Sequence, residues 1–168
     1  MELEYRLLTP GERWPEDAAS LAAAIRSQGP FQPVVEMAGP DLRVHDAVTG
    51  LTSHARLTPY PAQTYESLIQ PPGYAPRMTD RDRDTALPFQ RTVEIRTSAA
   101  PDSDPTTVAL FHATVTDGLW WLLGGFLADP YRRTVWGWRR WRGDQPLAAH
   151  AAETAAHLAA PVPEGGPA

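Results

Sequence analysis

The stretch 106–142 constrains the fold of this chain more than any other. It holds five of the six tryptophans and five of the fifteen basic residues, all of which are arginine. Its first part places apolar side chains at spacings of three and four, as on one face of a helix: Val108, Phe111, Val115, Leu119 and Leu122. Asp104 or Thr106 can cap the start of this helix, and the pair Gly124-Gly125 can end it.

The second part of the stretch predicts a hairpin. A short apolar run leads into a turn at Asp129-Pro130, and the residues from 133 to 141 then alternate. The alternation divides the large side chains between two faces, with Trp136, Trp138 and Arg140 on one and Arg139 and Trp141 on the other. The second strand of the hairpin is therefore predicted to be rich in tryptophan and arginine.

Two halves of the chain share one order of predicted elements. The first is strand 2–8, helix 15–27, strand 34–37 and strand 42–47, and the second is strand 90–97, helix 106–122, strand 125–128 and strand 133–141. A further strand is predicted over 51–57 and an alanine-rich helix over 146–160. These patterns predict an α+β fold, an antiparallel sheet with helices packed on one face, arranged as two βαββ-type units with a cleft where they meet.

The domain boundaries follow from the same order. Residues 1–160 are predicted to form a single domain, with halves of about 1–58 and 89–145 and a flexible tail over 161–168. The proline-rich segment 59–88 joins the halves, and a connection of this length is either a functional flap or a linker. A single helical turn is predicted within it, over 64–69.

Composition narrows the classes of function. The net charge of −5 makes nucleic acid an unfavourable partner, because affinity for phosphates comes mainly from positive charge. Cysteine is absent, which excludes disulfides, thiolate zinc sites and cysteine nucleophiles. The apolar runs are too short to span a bilayer and the first residues do not resemble a signal peptide, so a cytoplasmic protein without membrane contact is expected.

The tryptophan- and arginine-rich strand is the leading candidate site. Its predicted binding residues are Trp136, Trp138, Arg139, Arg140 and Trp141, together with Arg132 and Arg133. Tryptophan and arginine are enriched at protein–protein hot spots, so a protein partner is expected. Three alternatives remain open: arginine stacked on tryptophan as internal packing, a homodimer seam, and a single-stranded nucleic-acid surface on which bases stack.

The histidines suggest a second, different site. His45 and His54 lie on neighbouring predicted strands with Glu36 or Glu94 near them, so His45, His54 and Glu94 can line the cleft between the two units. Paired βαββ units resemble the glyoxalase and bleomycin-resistance superfamily, although each module of that superfamily carries an additional strand. That resemblance implies a small-molecule or metal-binding cleft protein or enzyme.

The C-terminal segment also carries histidines, in His150, Glu153 and His157. Their spacing leaves the two imidazoles about 10 Å apart along a helix, too far to share one metal ion, so a solvated helix face is predicted. The sequence contains no G-x-S-x-G, P-loop or GxGxxG motif. Neither catalysis nor a metal or cofactor is therefore expected.

The segment Gly124-Gly-Phe-Leu-Ala-Asp-Pro, a helix that runs into a strand and an Asp-Pro turn, resembles small bacterial α+β domains of unknown function. Some of these domains are immunity-like proteins. The resemblance implies binding to a partner without catalysis. The function expected from the sequence is accordingly that of a non-enzymatic, immunity- or adaptor-like binding protein.

Overall fold

A computed structural model describes residues 1–10, 17–63, 74–84 and 89–160. These residues form eight strands, β1 Glu2–Thr9, β2 Pro33–Ala38, β3 Asp41–Asp46, β4 Thr52–Gln63, β5 Ala75–Arg77, β6 Phe89–Ser98, β7 Phe126–Asp129 and β8 Thr134–Gly137. They also form five helices, α1 Ala18–Gln28, α2 Asp80–Asp84, α3 Pro105–Leu123, α4 Trp138–Asp144 and α5 Leu147–Ala159. The α+β class is confirmed.

All eight strands belong to one sheet in the order β2-β3-β4-β6-β1-β7-β8-β5. Every neighbouring pair is antiparallel except β5 and β8, which are parallel. The first strand, β1, lies between β6 and β7, and β6 lies between β1 and β4. The two halves therefore exchange their first strands, and a continuous sheet stands where the sequence predicted a cleft.

The main core lies between one face of this sheet and the helices α1, α3 and α5. From β1, Leu3, Tyr5 and Leu7 point into it, as the alternation of the strand requires. Helix α3 is buried on nearly every side, because α1 and α5 flank it above the sheet. None of the helices among the described residues is long and apolar enough to cross a membrane.

The ends of α3 follow the predicted signals. The Asp104 carboxylate accepts a hydrogen bond from the Thr107 backbone N–H at 3.0 Å, with Pro105 in the first turn. At the other end, the Gly124 N–H donates to the Trp120 carbonyl oxygen at 2.8 Å, and Gly124 has a φ of 70°. Such a positive φ favours glycine, which explains why the helix stops there.

The predicted strand over 133–141 is wrong in its second half. Strand β8 ends at Gly137 and helix α4 begins at Trp138. A Cβ on Gly137 would lie 2.6 Å from Asp82 Oδ2, so the α2 carboxylate packs directly on this glycine. The same carboxylate accepts a hydrogen bond from Arg139 Nη1 at 2.6 Å, which ties the first turn of α4 to α2.

The proline-rich segment contains structure that the sequence did not predict. Strand β5 and helix α2 lie within 59–88, and β5 forms an edge of the sheet beside β8. Asp82 of α2 is buried, so this part of the segment is packed against the domain. The predicted helical turn over 64–69 and the predicted tail over 161–168 lie outside the described residues.

Candidate functional site

Five tryptophans form one cluster beside the sheet, and three of them are buried. Trp141 packs edge-on against Trp136 with ring centroids 5.7 Å apart, and at a tilt against Trp120 with centroids 5.8 Å apart. The Trp120 indole N–H donates to the Gly125 carbonyl oxygen at 2.9 Å. Trp136 and Trp141 were predicted to bind a partner, but their rings are part of the core. Their positions agree with the alternative of internal packing.

The outer edge of the cluster is open to solvent. Trp121 is 66% exposed and Leu122 is 37% exposed, whereas Trp138 is half-buried between Trp120 and Trp121. The guanidinium of Arg142 lies over the Trp138 ring at 5.0 Å from its centroid. These four residues, Trp121, Leu122, Trp138 and Arg142, are called the Trp121 surface below.

A pocket of about 250 Å³ opens beside Trp121, between α1, α3 and α4. Its lining comes from α1, α3 and α4, through Ala24, Ser27, Gln28, Asp117, Gly118, Trp121 and Arg142. Arg142 links the three helices, because it donates from α4 to Asp117 Oδ2 at 2.9 Å and to Gln28 Oε1 at 3.2 Å. Gly118 lets the helices approach, since a Cβ there would lie 3.3 Å from Leu21.

The buried carboxylate of Asp117 explains why Arg142 is held in place. Burial raises the pKa of Asp117 above its usual range, while the Arg142 guanidinium and the nearby Trp141 indole lower it. The Trp141 indole nitrogen and Asp117 Oδ1 are both buried, and neither makes a hydrogen bond of regular geometry. The ion pair to Arg142 is therefore the main stabilising contact of this carboxylate.

Arg132 and Arg133, both predicted as binding residues, have different surroundings. Arg132 is only 10% exposed and donates from Nε to Asp129 Oδ2 at 2.6 Å. Its guanidinium also lies over the Trp136 ring and reaches Glu153 Oε2 at 3.1 Å. Arg133 is exposed and has a φ of 50°, which is typical of a turn. Arg132 therefore stabilises the core through contacts within the chain, and its contact with a partner stays a prediction.

His150 is buried in the same network, so the prediction of a solvated helix face is wrong for His150, whereas Glu153 and His157 are exposed. Its Nδ1 accepts from Arg132 Nη1 at 2.8 Å, and its Nε2–H donates to the Trp141 carbonyl oxygen at 2.7 Å. The ring stacks on Trp141 with centroids 3.7 Å apart. Desolvation lowers the pKa of His150 to about 4, and the neighbouring Arg132 acts in the same direction. Neutral imidazole therefore satisfies every contact.

The two remaining arginines of the predicted site lie on α4 and are exposed. Arg139 pairs with Asp82, and Arg140 pairs with Asp144 at 3.5 Å. Because α4 is a helix, these side chains do not extend a strand face beside Trp136. The predicted seven-residue site is thus divided between the core, α4 and, for Arg133, the turn between β7 and β8.

A chain of buried polar groups crosses the core between β4 and α3. Ser53 Oγ contacts Thr97 Oγ1, and Thr97 Oγ1 lies 2.7 Å from His112 Nδ1. All three side chains are fully buried, and His112 Nε2 has no hydrogen-bond partner. Desolvation lowers the pKa of His112 to about 3. The arrangement of hydroxyls and imidazole has no access for a substrate, so it supports the fold.

The two buried imidazoles predict a loss of stability in mild acid. The unfolded chain takes up protons at His112 and His150 below about pH 6.5, whereas the folded protein does so only near pH 3 and pH 4. Above pH 6.5 both histidines are neutral in the folded and the unfolded state, so the free energy of unfolding is there at its full value. It should fall as the pH drops toward 4, by on the order of 3 kcal/mol for each histidine.

Urea unfolding at a series of pH values measures this loss. His112→Asn keeps a polar group near the Thr97 hydroxyl but does not titrate, so its unfolding free energy should change less between pH 6.5 and 4. A variant whose pH profile runs parallel to that of the wild type would contradict the role of His112.

The residues of the predicted alternative cleft lie on the open face of the sheet. His54 and Glu94 line a shallow pocket of about 230 Å³ on β3, β4 and β6. His45 is not part of that lining, and its Nδ1 lies 3.0 Å from Thr52 Oγ1. The pocket is bordered by paired charges, with Arg56 beside Asp41 at 3.7 Å. The structure thus brings two of the three predicted residues together.

Another pocket of the open face, of about 420 Å³, lies beside β1 and β7. Its lining includes Glu4, Arg6, Tyr74, Ala128 and Pro130. Arg6 donates to Glu4 at 3.2 Å, so its charged groups satisfy each other. The described residues of this lining bring together neither a nucleophile with a base nor a set of metal ligands.

Sequence reasoning missed the exposure of Trp121 and Leu122. Leu122 continues the predicted apolar stripe of α3, yet Leu123 takes the buried position instead. Trp121 follows Thr114 and Asp117 at spacings of seven and four, on the side of the helix that carries polar residues. A tryptophan on a polar stripe is the signal that would have identified it.

Within the described residues, no group of three or more histidine, aspartate or glutamate side chains is arranged to hold a metal ion. Comparisons of the chain with protein-family models, curated proteins and solved structures return no match. The function of this chain must therefore be inferred from the chemistry and exposure of its own surface residues.

Proposed function

We propose that this chain is a non-enzymatic binding protein and that a partner protein docks on the Trp121 surface. The observation that carries the proposal is the 66% exposure of Trp121 at the edge of an otherwise buried tryptophan cluster. Exposing a large aromatic ring to water is unfavourable, and tryptophan is the residue most enriched at protein–protein hot spots. Covering Trp121 and Leu122 supplies the apolar centre that such an interface needs.

The pocket beside Trp121 indicates what the partner presents. Its volume of about 250 Å³ suits a single side chain. The charges in its lining, Asp117 and Arg142, already neutralise each other. An incoming charge would find no free counter-charge there, so the partner is expected to insert an apolar or aromatic side chain. The half-exposed guanidinium of Arg142 remains at the rim, where polar contacts provide specificity.

The Trp121 surface is also held rigidly, which favours binding. Trp121 packs against Trp138 with ring centroids 5.8 Å apart, and the Arg142 guanidinium lies over the Trp138 ring. Arg142 is in turn fixed by Asp117 and Gln28. Because these side chains are already ordered, association loses less conformational entropy than it would on a mobile loop.

Replacing Trp121 by alanine tests the proposal. Tagged wild-type protein and the Trp121→Ala variant are used to capture proteins from cells that express the chain, and the captured proteins are quantified by mass spectrometry. We expect a partner whose capture is lost with Trp121→Ala, and a fall in affinity of about thirtyfold or more with the purified partner. The free energy of unfolding, measured by thermal denaturation, should change by less than about 0.5 kcal/mol, because the side chain is exposed.

His54→Ala is the matched control, since His54 is exposed on the opposite face of the sheet. The control should retain the partner that Trp121→Ala loses. A partner that depends on His54 and not on Trp121 would overturn the proposal. So would a set of captured proteins that neither substitution changes.

One observation favours a second candidate function, a small-molecule site on the open face. His54 and Glu94 line the same pocket, with Arg56 and Arg96 beside them. An imidazole and a carboxylate within one pocket suit a small polar ligand. This candidate predicts that His54→Ala and Glu94→Gln abolish ligand-induced thermal stabilisation, whereas Trp121→Ala leaves it intact.

A further inference from the structure

Strand β2 forms one edge of the sheet and is unusually apolar for an edge. Two of its large apolar side chains are exposed, Val34 by 52% and Met37 by 36%, and so is Val48 of the adjoining β3–β4 turn, by 66%. Exposed sheet edges are normally protected by charges, prolines or short length, because they can pair with another strand. The opposite edge, β5, has only three residues and includes Pro76. Within the part of the chain that the structure describes, only Pro33 and Glu36 give the β2 edge such protection.

The directions of the backbone groups of β2 follow from the hydrogen bonds of the sheet. The Ala47 N–H donates to the Gln32 carbonyl oxygen at 3.0 Å, so Gln32 and Ala47 are a hydrogen-bonded pair. This pair directly precedes the first pair of the β2–β3 ladder, Pro33 and Asp46. Hydrogen-bonded pairs alternate along an antiparallel ladder, so the even-numbered residues of β2 bond to β3. On the other side of β3, the bond from Asp46 N–H to the Leu51 carbonyl oxygen agrees with this alternation.

The odd-numbered residues of β2 therefore direct their backbone groups outward. Val35 and Met37 each offer one N–H and one carbonyl oxygen to an incoming strand. Pro33 offers only a carbonyl oxygen, since proline has no N–H, and its place at the edge costs no bond within the sheet. A neighbouring strand can thus make its bonds at positions 33, 35 and 37.

We propose that β2 pairs antiparallel with β2 of a second copy of this chain, with the two-fold axis at Val35. In this register, the two Val35 residues exchange two hydrogen bonds, and each Met37 N–H donates to the Pro33 carbonyl oxygen of the other copy. The seam thus contains four hydrogen bonds and is the same from both sides, as a two-fold interface requires. It joins the two sheets into one continuous sheet.

Charge selects this register over the nearest alternative. Shifting the axis to Glu36 also gives four hydrogen bonds, but it places the two Glu36 side chains directly opposite each other on the open face. Like charges in such a pair are destabilising. With the axis at Val35, each Glu36 faces Val34 of the other copy, and Arg43 continues to pair with Glu36 at 3.4 Å within each chain.

The same register accounts for the exposed apolar side chains. Met37 comes opposite Pro33 of the other copy on the helix-covered face, and Val34 is covered on the open face. Val48 lies at the Pro33 end of β2, which meets the Met37 end of the second copy. The contact is small, so the dimer should be weak and concentration-dependent.

Sedimentation velocity over a wide range of protein concentration tests the proposal on the full chain. Wild type should shift from monomer to dimer as concentration rises. Val35→Pro removes an outward N–H without breaking the ladder to β3, so it should remain a folded monomer at every concentration. A wild-type chain that stays monomeric throughout, or a dimer that Val35→Pro does not dissociate, would overturn the proposal.

A pair of charge variants tests the register, because both remove the same apolar side chain. Val34→Lys would face Glu36 of the other copy and strengthen the dimer, whereas Val34→Glu would face it with a like charge. Their dimer dissociation constants should differ by on the order of tenfold or more. Adding Glu36→Lys to Val34→Glu should restore association. Equal constants for the two single variants, or a dimer lost with Trp121→Ala instead, would refute pairing at β2.

Discussion

Gly125→Ala is expected to abolish the folded state, or to destabilise it by more than about 4 kcal/mol. A Cβ on Gly125 would lie 1.9 Å from the Leu8 carbonyl oxygen and 2.9 Å from the Thr9 Cα. Both contacts are to the backbone of β1, which pairs with β7 and β6 in the middle of the sheet. No side-chain rotation can relieve such a clash, and the φ of 100° adds backbone strain.

Gly124→Ala is the matched control, because Gly124 also has a positive φ but has nothing within 4 Å of an added Cβ. It should lose only about 1–3 kcal/mol, the cost of a backbone conformation (φ 70°, ψ −172°) that a residue with a side chain rarely adopts. Urea unfolding followed by circular dichroism measures both variants. Equal losses in the two would show that the approach of β7 to β1 does not depend on the missing side chain.

Asp129→Asn is expected to destabilise the protein by about 3–5 kcal/mol, the second largest effect. The fully buried Asp129 carboxylate accepts hydrogen bonds from the Tyr131 N–H at 3.0 Å and from Arg132 Nε at 2.6 Å. Removing its charge leaves the guanidinium of Arg132 among tryptophan rings. The remaining anionic partner is Glu153, which is half exposed and therefore a weak replacement.

Two further variants isolate the cause. Asp41→Asn removes a carboxylate from an exposed pair with Arg56 and should change the unfolding free energy by less than about 1 kcal/mol. Arg132→Met added to Asp129→Asn removes the unpaired charge and should recover part of the loss. A double variant no more stable than Asp129→Asn alone would contradict an electrostatic cause.

The sequence predicted most elements because their signals are local. Alternation in β1, the apolar stripe of α3, the Asp104 cap and the Gly124 stop all lie within a few residues of the element that they define. The hairpin of β2 and β3 follows from a two-residue turn at Gly39-Pro40 between apolar segments. Such patterns do not depend on the rest of the chain.

The end of β8 shows where local signals were insufficient. Trp138 and Trp141 are three residues apart, a spacing typical of a helix, while Trp136, Trp138 and Arg140 alternate as in a strand. Contacts with Asp82, more than fifty residues earlier in the chain, coincide with the change from strand to helix. Periodicity alone cannot distinguish the two structures over so short a segment.

The exposure of each tryptophan was likewise beyond the sequence. Neighbouring tryptophans on α3 have opposite environments: Trp120 is buried beneath α4, and Trp121 faces solvent. Which side of α3 is covered depends on α1, α4 and α5, whose positions are set by packing on the sheet. The predicted binding residues were therefore of the right type and in the right region, but several belong to the core.

The amino-acid sequence by itself determined the α+β class, the central helix with both of its ends, and the region in which tryptophan and arginine accumulate. Tertiary structure alone decided the exchange of β1 and β6 between the halves, the burial of Arg132 and His150, and the exposure of Trp121 and of the β2 edge. The physical reason is the distance along the chain over which each kind of interaction acts. Caps, turns and periodicity act between neighbouring residues, whereas strand order and burial depend on contacts between distant segments.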